Sequence, residues 1–166
     1  MSELWAAYNR LWGRCEAKCR GGIRYVESFS DGLNHCGIYS SELDQVQVKR
    51  AGSADFAWQI PRPAEDSVLL SELCVIAHEL AHAENRRRDE RRWVRYFTAL
   101  TQWSVLRNMS NGPPLDPAWA DEILWEEGDA EFGGALIISA MYPPAQEEFQ
   151  RRAAASLAAY RKWLKP

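Results

Sequence analysis

The sequence predicts an α+β fold, in which one helix precedes a small sheet and several longer helices complete the chain. Three observations carry this expectation. Apolar side chains recur at spacings of three and four over residues 3–20 and again after residue 63, residues 23–60 alternate in short runs, and paired glycines or prolines mark the changes. A length of 166 residues suits one compact domain, here the whole chain 1–166. With 46% hydrophobic and 26% charged residues the composition is that of a globular protein, and no stretch of about 18 apolar residues offers a membrane span.

The first helix carries Leu4, Trp5, Tyr8, Leu11, Trp12, Cys15 and Cys19 on one face and stops at Gly21-Gly22. Three or four strands follow, at Ile23 and Tyr25, Gly37 to Ser40, Val46 and Val48, and Phe56 to Ile60. Turns are expected at Ser30-Asp31-Gly32 and Ala51-Gly52-Ser53. Beyond Pro61-Arg62-Pro63, Asp66 or Ser67 can cap a helix that buries Leu69, Leu70, Leu73, Ile76, Ala77 and Leu80. Its charged continuation runs from Glu84 through Arg92 into Trp93, Val94, Phe97, Leu100 and Leu106, and breaks at Asn111-Gly112-Pro113-Pro114. Asp116-Pro117 starts the next helix, which reaches about Met141 before Tyr142-Pro143-Pro144. A last helix over about 144–164 buries Phe149, Ala153, Leu157, Tyr160 and Leu164.

The residues with the sharpest chemistry are His78-Glu79-Leu80-Ala81-His82. Two histidines four apart on a helix lie about 40° apart around it and roughly 6 Å along it, so both imidazoles can reach one ion. Glu79 points to a neighbouring direction, where it can contact a water on that ion and act as a general base. A catalytic zinc takes three protein ligands, so one more must come from elsewhere. His35 is the only other histidine. Better candidates lie in Trp125-Glu126-Glu127-Gly128-Asp129-Ala130-Glu131, where Glu127 and Glu131 share a helical face. Gly128, Ala130, Gly133 and Gly134 would let another helix approach closely. Glu126 and Glu122 remain substitutes.

These two stretches resemble the zinc metallopeptidases of the gluzincin branch, which carry an HExxH helix and a glutamate on a later helix in a pattern like Glu-x-x-(Ala/Ser)-Asp. The order of elements also resembles minimal zincin domains, including HExxH proteins of the ImmA/IrrE type. The resemblance covers about residues 68–84 and 120–140. It implies a zincin-like fold and a peptidase that cleaves peptide or protein substrates through a zinc-bound water activated by Glu79. His78, His82 and Glu127 would hold Zn²⁺, and Glu131, standing where the family has aspartate, would orient one histidine. Glu126, about 100° away on the helix, would then matter little. The strand at Phe56 to Ile60 would pair with an extended substrate. Tyr39, Tyr96 and Tyr142 are tyrosines that can approach such a site.

Other readings compete. Cys15, Cys19, His35 and Cys36 are soft ligands that could gather around a structural metal, although the helical cysteines fall on the apolar stripe and suit the core. Arg86, Arg87, Arg88, Arg91, Arg92 and Arg95 alternate with Glu84, Asp89 and Glu90, which fits an exposed helix laced with ion pairs at three and four spacing. The rival function is a non-catalytic binding protein whose arginine-rich segment, residues 86–95, holds nucleic acid or a protein partner. Nucleic acid is not favoured at a net charge of −3 and a pI near 5.7. An acidic first turn with no apolar core after it is unlike a signal peptide, so a cytoplasmic location without membrane attachment is expected. Free thiols are the expected state of the four cysteines.

Overall fold

The computed structural model describes residues 2–27, 36–49, 66–109 and 115–164. Within them the chain is mixed α+β and mostly helical. The elements run α1 (Glu3–Lys18), β1 (Ile23–Val26), β2 (Gly37–Ser40), β3 (Gln45–Lys49), α2 (Asp66–Arg88), α3 (Glu90–Arg107), α4 (Pro117–Met141) and α5 (Gln146–Trp163). The Phe56–Ile60 strand, His35 and the two expected turns lie outside the described residues. Ser2 caps α1 by accepting from the Trp5 amide at 3.2 Å, and Asp116 caps α4 by accepting from the Ala118 amide at 2.8 Å, with Pro117 following it.

The sheet order is β1-β3-β2, with β1 parallel and β2 antiparallel to β3. Pairing of Tyr39 with Val46 and Gly37 with Val48 sets the register of the hairpin, and fully buried Val46 and Val48 anchor it to the core. Asp44 turns the hairpin in a left-handed conformation at φ 47°. Its side chain also accepts from the Arg20 amide at 2.9 Å and the Tyr39 hydroxyl at 2.6 Å.

Helix α2 is central and packs against α1, α3, α4 and the strands β2 and β3. Leu69, Leu73, Ile76, Ala77 and Leu80 are buried as their spacing requires, whereas Leu70 is only partly covered. The long helix expected through the arginine run is two helices. Asp89 ends the first and caps the second, accepting from the Arg92 amide at 3.0 Å. This restart changes which face is covered. Trp93, Tyr96 and Ala99 are buried, while Val94 and Phe97 are 57% and 54% exposed.

The α2–α4 crossing is close because two of the three α4 glycines lie in it. A Cβ on Gly133 would stand 3.0 Å from that of Ala81, and one on Gly134 would collide with the Phe149 ring and come within 3.4 Å of the His78 Cα. Gly128, expected to serve the same end, has open space around it. The glycines should therefore respond oppositely to substitution. Gly134→Ala should destabilise the protein by about 1–3 kcal/mol through overpacking. Gly128→Ala should stabilise it by about 0.5–1 kcal/mol by restricting the unfolded chain in a helical position. Urea denaturation of the two variants checks both signs.

Candidate metal centre

The crossing brings together the two histidines of α2 and three glutamates of α4. His82 Nε2 lies 3.1 Å from His78 Nε2, and Glu127 Oε2 lies 3.5 Å from the first histidine's Nε2 and 3.8 Å from the second's. At zinc–nitrogen distances of about 2.0–2.1 Å the corners of a tetrahedron are about 3.3–3.4 Å apart. The three ligand atoms thus form a triangle of the size that one tetrahedral ion spans. Among the described residues this is the one group of His, Cys, Asp or Glu side chains spaced to hold a metal.

The other atom of His82 and of Glu127 is occupied in a way that turns their ligand atoms inward. His82 Nδ1 donates to Glu126 Oε1 at 3.0 Å, and Asn85 donates to the same oxygen at 2.9 Å. His78 Nδ1 is 3.3 Å from Glu131 Oε2, out of line for a hydrogen bond. A carboxylate only accepts, so the His82 hydrogen sits on Nδ1 and its Nε2 turns a lone pair toward His78 Nε2. Two lone pairs 3.1 Å apart repel unless a cation or proton lies between them. Glu127 is fixed similarly, because the Tyr96 hydroxyl donates to Oε1 at 2.6 Å and leaves Oε2 toward the histidines. Burial and the nearby Glu127 charge push the Tyr160 hydroxyl well above its ordinary value, and the Tyr96 ring stacks on His82 at 5.7 Å.

These contacts dictate the electrostatics. Burial would depress both histidines, yet the carboxylates outweigh it, so His78 rises well above its ordinary value and His82 reaches about 9. Glu127 moves the other way: its interactions with the two neighbouring histidines overcome desolvation and hold it far below the ordinary carboxylate range. Desolvation raises Glu79, which is 7% exposed and packs against β2. Gly37 admits this approach of strand to helix, since a Cβ there would collide with Val75 and sit 2.9 Å from Glu79 Cγ. Glu79 opens onto the same cleft as His78, His82 and Glu127, a cavity of about 300 Å³ bordered by β2 and α3.

No protein family, curated protein or solved structure matches this chain. Its functional reading therefore depends on the geometry of these residues.

Of the residues singled out in the sequence, His78, Glu79, His82, Glu127 and Glu131 meet at one place. Glu126 requires a correction: it is 2% exposed and holds His82, so it is far from neutral. Glu122 is no substitute ligand, being paired with Arg95 at 3.0 Å. Of the three tyrosines, Tyr96 enters the site, Tyr39 borders the cleft, and Tyr142 caps α4 instead of bordering it. Tyr160, which the sequence suggests only as core, is a site residue. Cys15 and Cys19 are buried and Cys36 is exposed; all are free and join no ligand group among the described residues. The arginines pair between elements rather than along their helix. Arg86 donates to Tyr39 Oη at 3.0 Å and to the Ser41 carbonyl at 2.6 Å, Arg87 pairs with Asp44 at 2.9 Å, Arg88 pairs with Asp129, and Arg92 lies over Trp125.

Two measurements follow from this arrangement. In chelator competition, Glu126→Ala and Glu131→Ala should each weaken zinc binding by about 10-fold to 100-fold. Glu127→Ala should lose the metal at sub-micromolar zinc, and Glu122→Ala should match the parent. The second measurement concerns pH. A histidine with a raised value stabilises the metal-free fold fully below about 6.5, and that contribution is lost as pH rises through about 9. Zinc must displace at least one such proton, so its apparent affinity should climb by at least about tenfold per pH unit between pH 7 and 9. A flat profile would show that no shared proton occupies the centre.

Proposed function

We propose that the protein is a zinc-dependent metallopeptidase of the gluzincin type, a single zincin-like domain acting on peptide or protein substrates in the cytoplasm. The observation that carries this reading is the inward-facing His78, His82 and Glu127 triangle with buried Glu79 on the same cleft. Those three residues would hold the ion, and three protein ligands leave a position open, as catalytic sites require. When bound, zinc supplies a Lewis acid that makes a water nucleophilic near neutral pH and polarises a carbonyl.

The protein's own groups do the rest. Glu79, kept out of bulk water and raised above the ordinary carboxylate value, is suited to take the proton of the attacking water and pass it to the leaving amine. Glu126 holds the His82 imidazole in the tautomer that ligates, Glu131 lies 3.3 Å from His78 Nδ1, and Tyr96 holds Glu127. A base beside the triangle has no purpose in a purely structural site, which favours an enzyme over a binding scaffold. The arginine-rich rival is weakened because Arg86, Arg87, Arg88 and Arg95 already have partners within the chain. No helix among the described residues is long and apolar enough to cross a membrane.

The purified protein should carry about one zinc per chain, and His78→Ala or His82→Ala should abolish it. Glu79→Gln should retain the zinc while hydrolysis of an unfolded protein substrate falls by about 10²–10⁴-fold, because the amide keeps the shape but accepts no proton. Unchanged hydrolysis in Glu79→Gln would remove Glu79 as the base.

A further inference from the structure

The cleft continues past the metal centre along α3, and this wall differs in character from the end that holds the histidines. Phe97, Leu100, Thr101 and Ser104 form one stripe at spacings of three and four, and all four border the cleft. The Thr101 hydroxyl donates back to the Phe97 carbonyl at 2.9 Å, which removes its strongest donor from the cleft. Trp103 closes this end and is braced by stacking on Trp163 at 6.5 Å, while Tyr160 meets Trp163 edge-on at 5.8 Å. Phe97 remains 54% exposed although its helix has other positions to bury.

Every ionisable carboxylate or imidazole bordering the cleft belongs to the metal end: His78, Glu79, His82 and Glu127. No carboxylate, lysine or arginine among the described residues lines the α3 wall. A charged substrate side chain lying there would lose water and gain no counter-charge, whereas an apolar one would exchange water for the Phe97 and Leu100 surfaces.

Building on the peptidase reading, we propose that the Phe97–Leu100–Thr101–Ser104 stripe of α3 is the specificity wall of the site. It receives an uncharged, apolar side chain that flanks the scissile bond. The substrate class is therefore peptides with an aliphatic or aromatic residue next to the cleaved bond, and the discrimination is set by a helix that supplies no metal ligand.

The test uses the full chain loaded with zinc and two peptide hydroxamates that differ only in one side chain, leucine against aspartate. Binding is read by calorimetry, and cleavage positions are mapped on a library of unstructured peptides. The parent should prefer the leucine compound by about 10-fold to 200-fold and cleave beside apolar residues. Leu100→Ala should cut that preference by about tenfold, and Phe97→Arg, at an exposed position, should shift it toward aspartate, with zinc content unchanged in both. Equal binding of the two compounds to the zinc-loaded parent, or cleavage indifferent to the flanking residue, would overturn the specificity wall and leave the peptidase reading standing. A zinc-loaded parent that cleaves no peptide in the library would instead defeat the peptidase reading, and the specificity wall with it.

Discussion

Charge compensation between α2 and α4 is the constraint on which the rest of the molecule depends. Two imidazoles and the carboxylates of Glu79, Glu126 and Glu127 sit within a region largely closed to water, with Glu131 at its margin. Buried charges of one sign would not be tolerated there, and buried pairs are tolerated only with good geometry. The α2 histidines therefore require an acidic α4, and α4 in turn requires a positive species at the centre. The close crossing at Gly133 and Gly134 allows these groups to reach one another.

A chain of contacts then carries this centre outward. Glu126 joins His82 to Asn85, and Arg88 donates to Asn85 Oδ1 at 3.0 Å while pairing with Asp129. On the opposite side, Glu79 packs against β2 at Gly37, and the Tyr39 hydroxyl binds Asp44 and receives Arg86. The arginine segment thus fastens the sheet hairpin and α4 to the helix that carries His78 and His82. Its positive charge is structural cement across elements, an arrangement that a reading along one helix does not anticipate.

What the sequence reveals and what it conceals follow from the range of the interactions. The His78–His82 pair and the Glu127–Glu131 pair are legible because each is local: a four-residue spacing on a helix fixes a shared face whatever the tertiary structure. The helix from Pro117 to Met141 is legible from its cap and its stop. The role of Glu126 is not, because α4 is packed by α2, α3 and α5 and buries positions about 100° apart. One signal was present, since Asn85 is a polar residue one turn beyond His82 on an otherwise apolar face. Tyr160 joins the site only because α5 folds back beside α4, a long-range event without local periodicity. The split at Asp89 was concealed by unbroken helix formers on both sides, although aspartate is a ready cap.

That split has a further consequence. The residues of the candidate metal centre reside on α2 and α4, while the α3 wall of the cleft is joined to α2 through the single residue Asp89. Under the proposed function, chemistry and recognition would stand on separate inheritable units. Substitutions along α3 would then redirect what the cleft accepts while the acidic bed beneath the histidines stays intact, so descendants of this chain could diverge in diet without having to reinvent the reaction.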